Sequence, residues 1–161
     1  MEYIIDFQAF KKPINSYVIK DMAILNINDG SLKLYTFKPP FEWDMLPIKY
    51  KVENKWLQNH YIHKNWTSGD VEYTESENIL NKLSKAKKVY VKGDQKCAWL
   101  KNYMNNICNL EGNNALALRE LRKINTFKCN DHYNGKKDVS CAECNVKAIY
   151  LWCIFYLKVW K

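Results

Sequence analysis

The sequence predicts an α/β fold in which a mixed β-sheet is flanked by helices. Two observations support this prediction. The N-terminal part of the chain has three segments rich in β-branched and aromatic residues, separated by short polar turns, which is typical of an antiparallel meander. Further along, short apolar runs alternate with segments of helical periodicity, which indicates strands joined by helices. We therefore expect a sheet that contains both antiparallel and parallel strands.

The three predicted strands of the meander cover residues 2–10, 17–27 and 32–37. The tetrapeptide Asn-Asp-Gly-Ser at 28–31 is a strong hairpin signal, because Asn, Asp and Gly tolerate the positive φ angles of tight turns. Pro39 and Pro40 end the third strand, since proline has no N–H to donate to a neighbouring strand.

An aromatic excursion over residues 41–70 separates this meander from the second half of the chain. Its periodicity predicts one helix, over residues 49–60. Connections of this length inside a compact domain often carry function. This segment is therefore a candidate for a functional surface.

Helices and strands alternate in the second half. Thr74, with Glu77 three residues later, has the pattern of a capping box and predicts a helix that runs to residue 86. Asp94 marks the start of a second helix. The predicted elements after the first helix are a strand over 88–91, a helix over 94–104, a strand over 106–110, a helix over 114–123, and a last helix from 140 to the end.

The composition favours one folded domain with an anionic partner. We expect a single domain over residues 1–161, and the 47% hydrophobic and 14% aromatic content excludes a disordered chain. The formal net charge of +8 favours nucleic acid as the partner; a lysine-rich solvated surface is the alternative. The longest apolar run, residues 148–157, is too short to span a bilayer, so no membrane partner is expected.

The compartment that we expect for the chain indicates whether its cysteines form disulfides or bind a metal ion. The N-terminus lacks the pattern of a signal peptide, so we expect a cytoplasmic or nuclear location. Thiols stay reduced there, and cysteines clustered with a histidine then indicate a metal site rather than a disulfide framework.

Three short segments resemble the motifs of DEDDh exonucleases, whose RNase H-like fold has the same order of elements. The segments are Asp-Phe-Gln at 6–8, residues 90–100 and residues 140–146. This family holds two divalent metal ions with four carboxylates and uses a histidine as general base. The resemblance implies that the five equivalent positions here are Asp6, Gln8, Lys96, Ser140 and Asn145.

Only Asp6 keeps the residue type that the family uses at these positions. Glutamine and asparagine are neutral and bind Mg²⁺ poorly, and Lys96 would bring a cation to the place of the metal ions. We therefore expect no catalysis at this site. Asp6 is predicted instead to accept hydrogen bonds or an ion pair from Gln8, Lys96 or Asn145.

A possible metal clamp follows from the spacing C-x₂-H-x₈-C of Cys129, His132 and Cys141, which suits tetrahedral Zn²⁺. Ordinary buried thiols and a surface histidine are the alternative. The pattern resembles the domain of Maelstrom proteins, a degenerate DEDDh fold with a Glu-Cys-His-Cys metal site. That resemblance implies a structural zinc ion held by Asp21, Cys129, His132 and Cys141. Cys144, one helical turn beyond Cys141, is the rival fourth ligand.

Aromatic and basic residues are interleaved in the excursion, and a second basic cluster lies near residue 120. Rings stack on bases and cationic side chains contact phosphates, so this mixture suits single-stranded nucleic acid. Core packing of the rings and solvation of the charges are the alternatives. The candidate nucleic-acid-binding residues are Trp43, Lys55, Trp56, Lys64, Trp66, Arg119, Arg122 and Lys123.

Three functions remain open. The first is a non-catalytic, Maelstrom-like module that binds single-stranded RNA, and the resemblance implies small-RNA (piRNA) silencing of transposons together with protein partners. The second is a ribonuclease with a non-standard site. The third is a protein–protein adaptor built on a pseudo-exonuclease scaffold.

Overall fold

The structure, a computed structural model, describes residues 1–113, Glu120 and residues 141–157. Within these residues the sheet has five strands in the order β3-β2-β1-β4-β5. The strands β1, β2 and β3 are antiparallel, whereas β1, β4 and β5 run parallel. The predicted mixed sheet is thereby confirmed. The strands are β1 (Glu2–Lys12), β2 (Ser16–Asn26), β3 (Leu32–Thr36), β4 (Lys88–Val91) and β5 (Ile107–Asn109).

Helices cover both faces of this sheet. The α-helices are α1 (Ile48–Leu57), α2 (Glu75–Leu83), α3 (Asp94–Leu100) and α4 (Ala142–Trp152). One π-helical turn, Gln58–Ile62, extends α1, and another, Cys153–Leu157, extends α4. The helix predicted over 114–123 lies outside the described residues apart from Glu120. In the described part of the chain, no helix combines the length and the apolar character needed to cross a lipid bilayer.

The helices α2 and α3 differ from the prediction at their ends, and α2 ends at Leu83 rather than at 86. The capping box at Thr74 is wrong: this residue precedes α2 in a helical conformation, and its side chain makes no capping hydrogen bond. A capping side chain reaches the free N–H groups from an extended backbone, which Thr74 lacks. The helix α3 ends at Leu100 rather than at 104, because the chain turns there, with Tyr103 N–H donating to the Leu100 carbonyl.

Side chains of β1 alternate between the two faces of the sheet. Ile5 and Phe7 belong to the apolar cluster that α2 and α3 cover. Ile4 belongs to the cluster that α4 covers. Asp6 and Gln8 share the face of Ile4, and both are buried. The centre of the sheet therefore carries two polar side chains on its α4 side.

The excursion forms a small core around Trp66, which is 4% exposed. Its ring packs against Phe10 of β1 and against Phe41 and Trp43, with centroids 5.4–5.5 Å apart. The indole N–H donates to the Phe41 carbonyl oxygen at 3.1 Å. This core covers the ends of β1 and β2 on the same side as α4.

The side chain of Lys20 links the sheet to the excursion through hydrogen bonds. A β-bulge shifts the register of β1 and β2 at this point and leaves Lys20 opposite no residue of β1. Its buried ammonium group donates to the carbonyl oxygens of Phe37 (3.0 Å), Trp66 (2.9 Å) and Ser68. Burial lowers the pKa of Lys20 to about 8, although the neighbouring Asp21 opposes this shift.

Candidate functional site

A row of polar side chains crosses the α4 side of the sheet, between α4 and the excursion. It consists of Asp6 and Gln8 on β1 and Asp21 on β2, and Gln8 lies directly opposite Asp21. The alternation of the strands places all three on one face, where Ile4 and Ala23 continue the row as apolar residues. The row therefore contains Asp6 and Gln8, two of the positions at which the sequence motifs predicted a degenerate exonuclease site.

Asp6 is the centre of this row and is 0% exposed. Lys96 of α3 donates from Nζ to Asp6 Oδ1 at 2.6 Å, and Asn145 of α4 donates from Nδ2 to Asp6 Oδ2 at 2.8 Å. Lys96 Nζ also lies 5.5 Å from the centroid of the Phe7 ring. Each carboxylate oxygen thus accepts from a different helix, and the structure brings together three of the five positions predicted from the motifs.

Two further ion pairs flank Asp6. Lys92, which directly follows β4 and is 4% exposed, pairs with Glu111 at 2.6 Å. Lys64 of the excursion pairs with Asp21 at 2.9 Å, and the hydroxyl of Thr36 donates to the same carboxylate oxygen at 2.8 Å. The Lys92–Glu111 pair was missed from sequence, because only the strand order brings these residues together.

Two divalent metal ions do not fit this set of residues. Such a site needs several carboxylate oxygens to offset about four positive charges. Here the fully buried carboxylate, Asp6, has a donor on each oxygen and an ammonium group at 2.6 Å, and the buried Asp21 is paired with Lys64. Gln8 is neutral, and Ser140 lies outside the described residues. The chemistry of these side chains is that of an ion-paired, hydrogen-bonded cluster.

The residues of the predicted zinc clamp are described only in part. Asp21 is engaged by Lys64 and Thr36. Cys141 precedes α4, and its Sγ accepts from the backbone N–H of Cys144 at 3.3 Å. Cys129 and His132 lie outside the described residues. Among the residues that are described, no three His, Cys, Asp or Glu side chains are grouped as a metal site, so the clamp stays a prediction.

The candidate nucleic-acid-binding residues of the excursion have different environments. Trp66 is enclosed by other rings and has no face open to a base, so core packing accounts for it. Trp43 packs on Trp66 and is half-buried. Trp56 is 57% exposed and stacks on His60 at 4.7 Å. Lys55 is exposed, whereas Lys64 is paired with Asp21. Arg119, Arg122 and Lys123 lie outside the described residues.

The fold is similar to that of E. coli exonuclease I. The structure of that enzyme in complex with a dA16 oligonucleotide matches with a TM-score of 0.59 and 14% sequence identity, over 94% of this chain and 39% of that chain. The zinc-bound form of its complex with single-stranded DNA matches with a TM-score of 0.53, at the same identity and coverage. The RNase H-like exonuclease fold predicted from the sequence is thereby confirmed.

This chain spans about two fifths of the length of the exonuclease that it matches. No protein-family model matches the sequence, and the comparison with curated proteins gave no match.

Proposed function

We propose that this chain is a non-catalytic RNase H-like module that binds single-stranded RNA, with a role in a cytoplasmic or nuclear small-RNA silencing complex of the Maelstrom type. The polar region around Asp6, between α4 and the excursion, is called the cleft, and the observation that carries this proposal is its set of three lysines. Lys64, Lys92 and Lys96 each pair with a carboxylate there, and the partner of Lys96, Asp6, stands at a position where the exonuclease motifs place a metal-binding carboxylate. These ammonium groups take the place of metal ions as counter-charges, so the fold is kept without metal-dependent catalysis.

Two other facts support a nucleic-acid partner. The net charge of +8 gives the module a long-range attraction for polyanions. The structures that share its fold were solved with single-stranded oligonucleotides bound. The choice of RNA comes from the resemblance of the C-terminal motif to Maelstrom proteins.

The proposal is tested with a labelled single-stranded RNA incubated with the purified protein and Mg²⁺ or Mn²⁺. We expect the RNA to stay intact, to bind equally well with and without the added Mg²⁺ or Mn²⁺, and to dissociate steeply as salt rises, because the affinity arises from phosphate contacts. Single-stranded DNA and duplex RNA of the same length serve as comparison ligands. Metal-dependent cleavage that disappears in the Asp6→Asn variant would contradict the proposal and favour the ribonuclease alternative.

A structural zinc ion is also proposed, with Cys129, His132 and Cys141 as ligands and either Asp21 or Cys144 as the fourth. We expect about one zinc ion per chain by elemental analysis, since tetrahedral sites of this kind bind tightly. The variants His132→Ala and Cys141→Ser should lose it, and Cys97→Ala should keep it. Burial raises the pKa of Cys97 to about 11, which makes its thiol a poor metal ligand and a suitable control. Zinc retained in both ligand variants would contradict the clamp.

An adaptor function has one specific observation in its favour. The residues Ile48, Val52 and Trp56 follow one another along one side of α1 and are 79%, 67% and 57% exposed. Exposed apolar rows of this kind commonly bind other proteins. Failure of the chain to bind any of the oligonucleotides above would favour this function over RNA binding.

A further inference from the structure

A groove lies between α1 and α3 at the end of the β1–β2 hairpin. Its volume is about 590 Å³, and the residues of the Asp6 cluster do not line it. The hairpin contributes Lys11, Lys12 and Tyr17, the start of α1 contributes Lys49 and Tyr50, and α3 contributes Trp99. Asn54 fixes α1 to the hairpin, because its side-chain amide exchanges two hydrogen bonds of 2.8 Å with the Lys11 backbone. The walls are therefore held in place by the fold.

The lysines of this groove differ from those of the cleft. Among the described residues, the ammonium groups of Lys11, Lys12 and Lys49 form no ion pair with a carboxylate. Lys11 and Lys49 are exposed, and Lys12 is half-exposed. The one acidic residue of the lining is Glu53. The groove therefore presents a surplus of positive charge, whereas the cleft has its charges neutralised.

The aromatic side chains give the groove a second property. Trp99 packs edge-on against Tyr17 at 5.9 Å and contacts Tyr103 at 5.0 Å, so its ring is held by neighbours on β2 and in the turn after α3. Trp99, Tyr17 and Tyr50 are each half-buried, and each reaches the groove wall. Fixed rings next to unpaired lysines suit a polymer that alternates phosphates with flat bases.

We propose that this groove is the single-strand binding site of the module, with the lysines contacting phosphates and the rings contacting bases or sugars. The inference rests on the proposed nucleic-acid-binding function and assigns it to a groove that the start of α1, within the excursion, shares with the β1–β2 hairpin and α3. A second copy of this chain is a poor occupant, since the positive groove would meet a chain of net charge +8. An acidic peptide would match the charge but would leave the rings without stacking partners.

The charge of the groove is tested with the triple variant Lys11→Glu, Lys12→Glu, Lys49→Glu. We expect its affinity for a labelled single-stranded RNA at low salt to fall at least about tenfold. The slope of log affinity against log salt should also become shallower by roughly 2, since each lost phosphate contact removes about 0.7. The control is the triple variant Lys33→Glu, Lys82→Glu, Lys87→Glu, which has the same charge change outside the groove and should keep the wild-type slope.

The rings are tested with Trp99→Leu, which keeps an apolar side chain at that position. We expect a loss of about fivefold or more in affinity with an unchanged salt slope, because stacking involves no counterion release. Thermal unfolding of every variant shows whether it is folded.

Three outcomes separate the two proposals. RNA binding by wild type with equal losses in both triple variants overturns the groove and leaves the function standing. No oligonucleotide binding by wild type overturns the function, and the groove inference with it. Competition by polyglutamate as effective as that by RNA of equal length overturns the assignment to nucleic acid.

Discussion

Replacing Lys96 by methionine is expected to lower the free energy of unfolding by about 3 kcal/mol, because it leaves the Asp6 carboxylate buried without its counter-charge. Asp6 is 0% exposed, and in the variant it still accepts a hydrogen bond from the neutral amide of Asn145. Adding Asp6→Asn should recover roughly 2 kcal/mol, since an asparagine oxygen still accepts from Asn145 and no charge is left buried. Denaturant unfolding of the wild type, both single variants and the double variant measures this coupling.

An exposed ion pair provides the control for this cycle. Lys38 and Glu72 lie 2.8 Å apart, with side chains 46% and 68% exposed. The same cycle with Lys38→Met and Glu72→Gln should give a coupling below about 1 kcal/mol, because water screens the pair. A coupling between Asp6 and Lys96 no larger than this would contradict a cleft stabilised by its ion pairs. Mg²⁺ should not rescue Lys96→Met, as Asp21 and Glu111 keep their lysine partners and Asp6 alone cannot offset the charge of the ions.

The strands were predictable because their signals are local. The predicted strand over 88–91 coincides with β4, a short apolar run between polar flanks, and the helix predicted over 49–60 is α1 with its π-helical turn. The prediction of a capping box at Thr74 was wrong because the residue pattern is present, but the backbone of Thr74 itself is helical. Local patterns thus predict element type better than the contacts at element ends.

The candidate functional residues were also predictable only in part. Motif spacing predicted that Asp6, Lys96 and Asn145 would meet, since each motif lies at a fixed place in a known strand and helix order. The groove could not be predicted, because Lys12, Lys49 and Trp99 are separated by long stretches of sequence and meet only through the packing of α1 and α3. Isolated lysines and a tryptophan carry no pattern until the fold assembles them.

Lys20→Met is expected to be similarly destabilising, by about 3 kcal/mol or more. The buried ammonium group donates to three carbonyl oxygens of the excursion and of the residue that follows β3, and methionine offers them no donor. Each buried polar group left unsatisfied costs about 1–3 kcal/mol. The exposed Lys33 of β3 is the control, and Lys33→Met should change the unfolding free energy by no more than about 0.5 kcal/mol.

The pH dependence of the destabilisation by Lys20→Met shows whether the titration of the ammonium group contributes to it, in addition to any loss of packing. Burial lowers the pKa of Lys20 to about 8 in the folded chain, against 10.5 for an ordinary lysine. Between these two values the unfolded chain binds more protons than the folded one, so this group makes the wild type more stable as pH rises. The methionine variant lacks the titration, and the difference in unfolding free energy between the two should therefore widen from pH 8 towards 10.5. A constant difference would mean that Lys20 has the same pKa in the folded and unfolded chains, and would contradict a burial that disfavours its charged form.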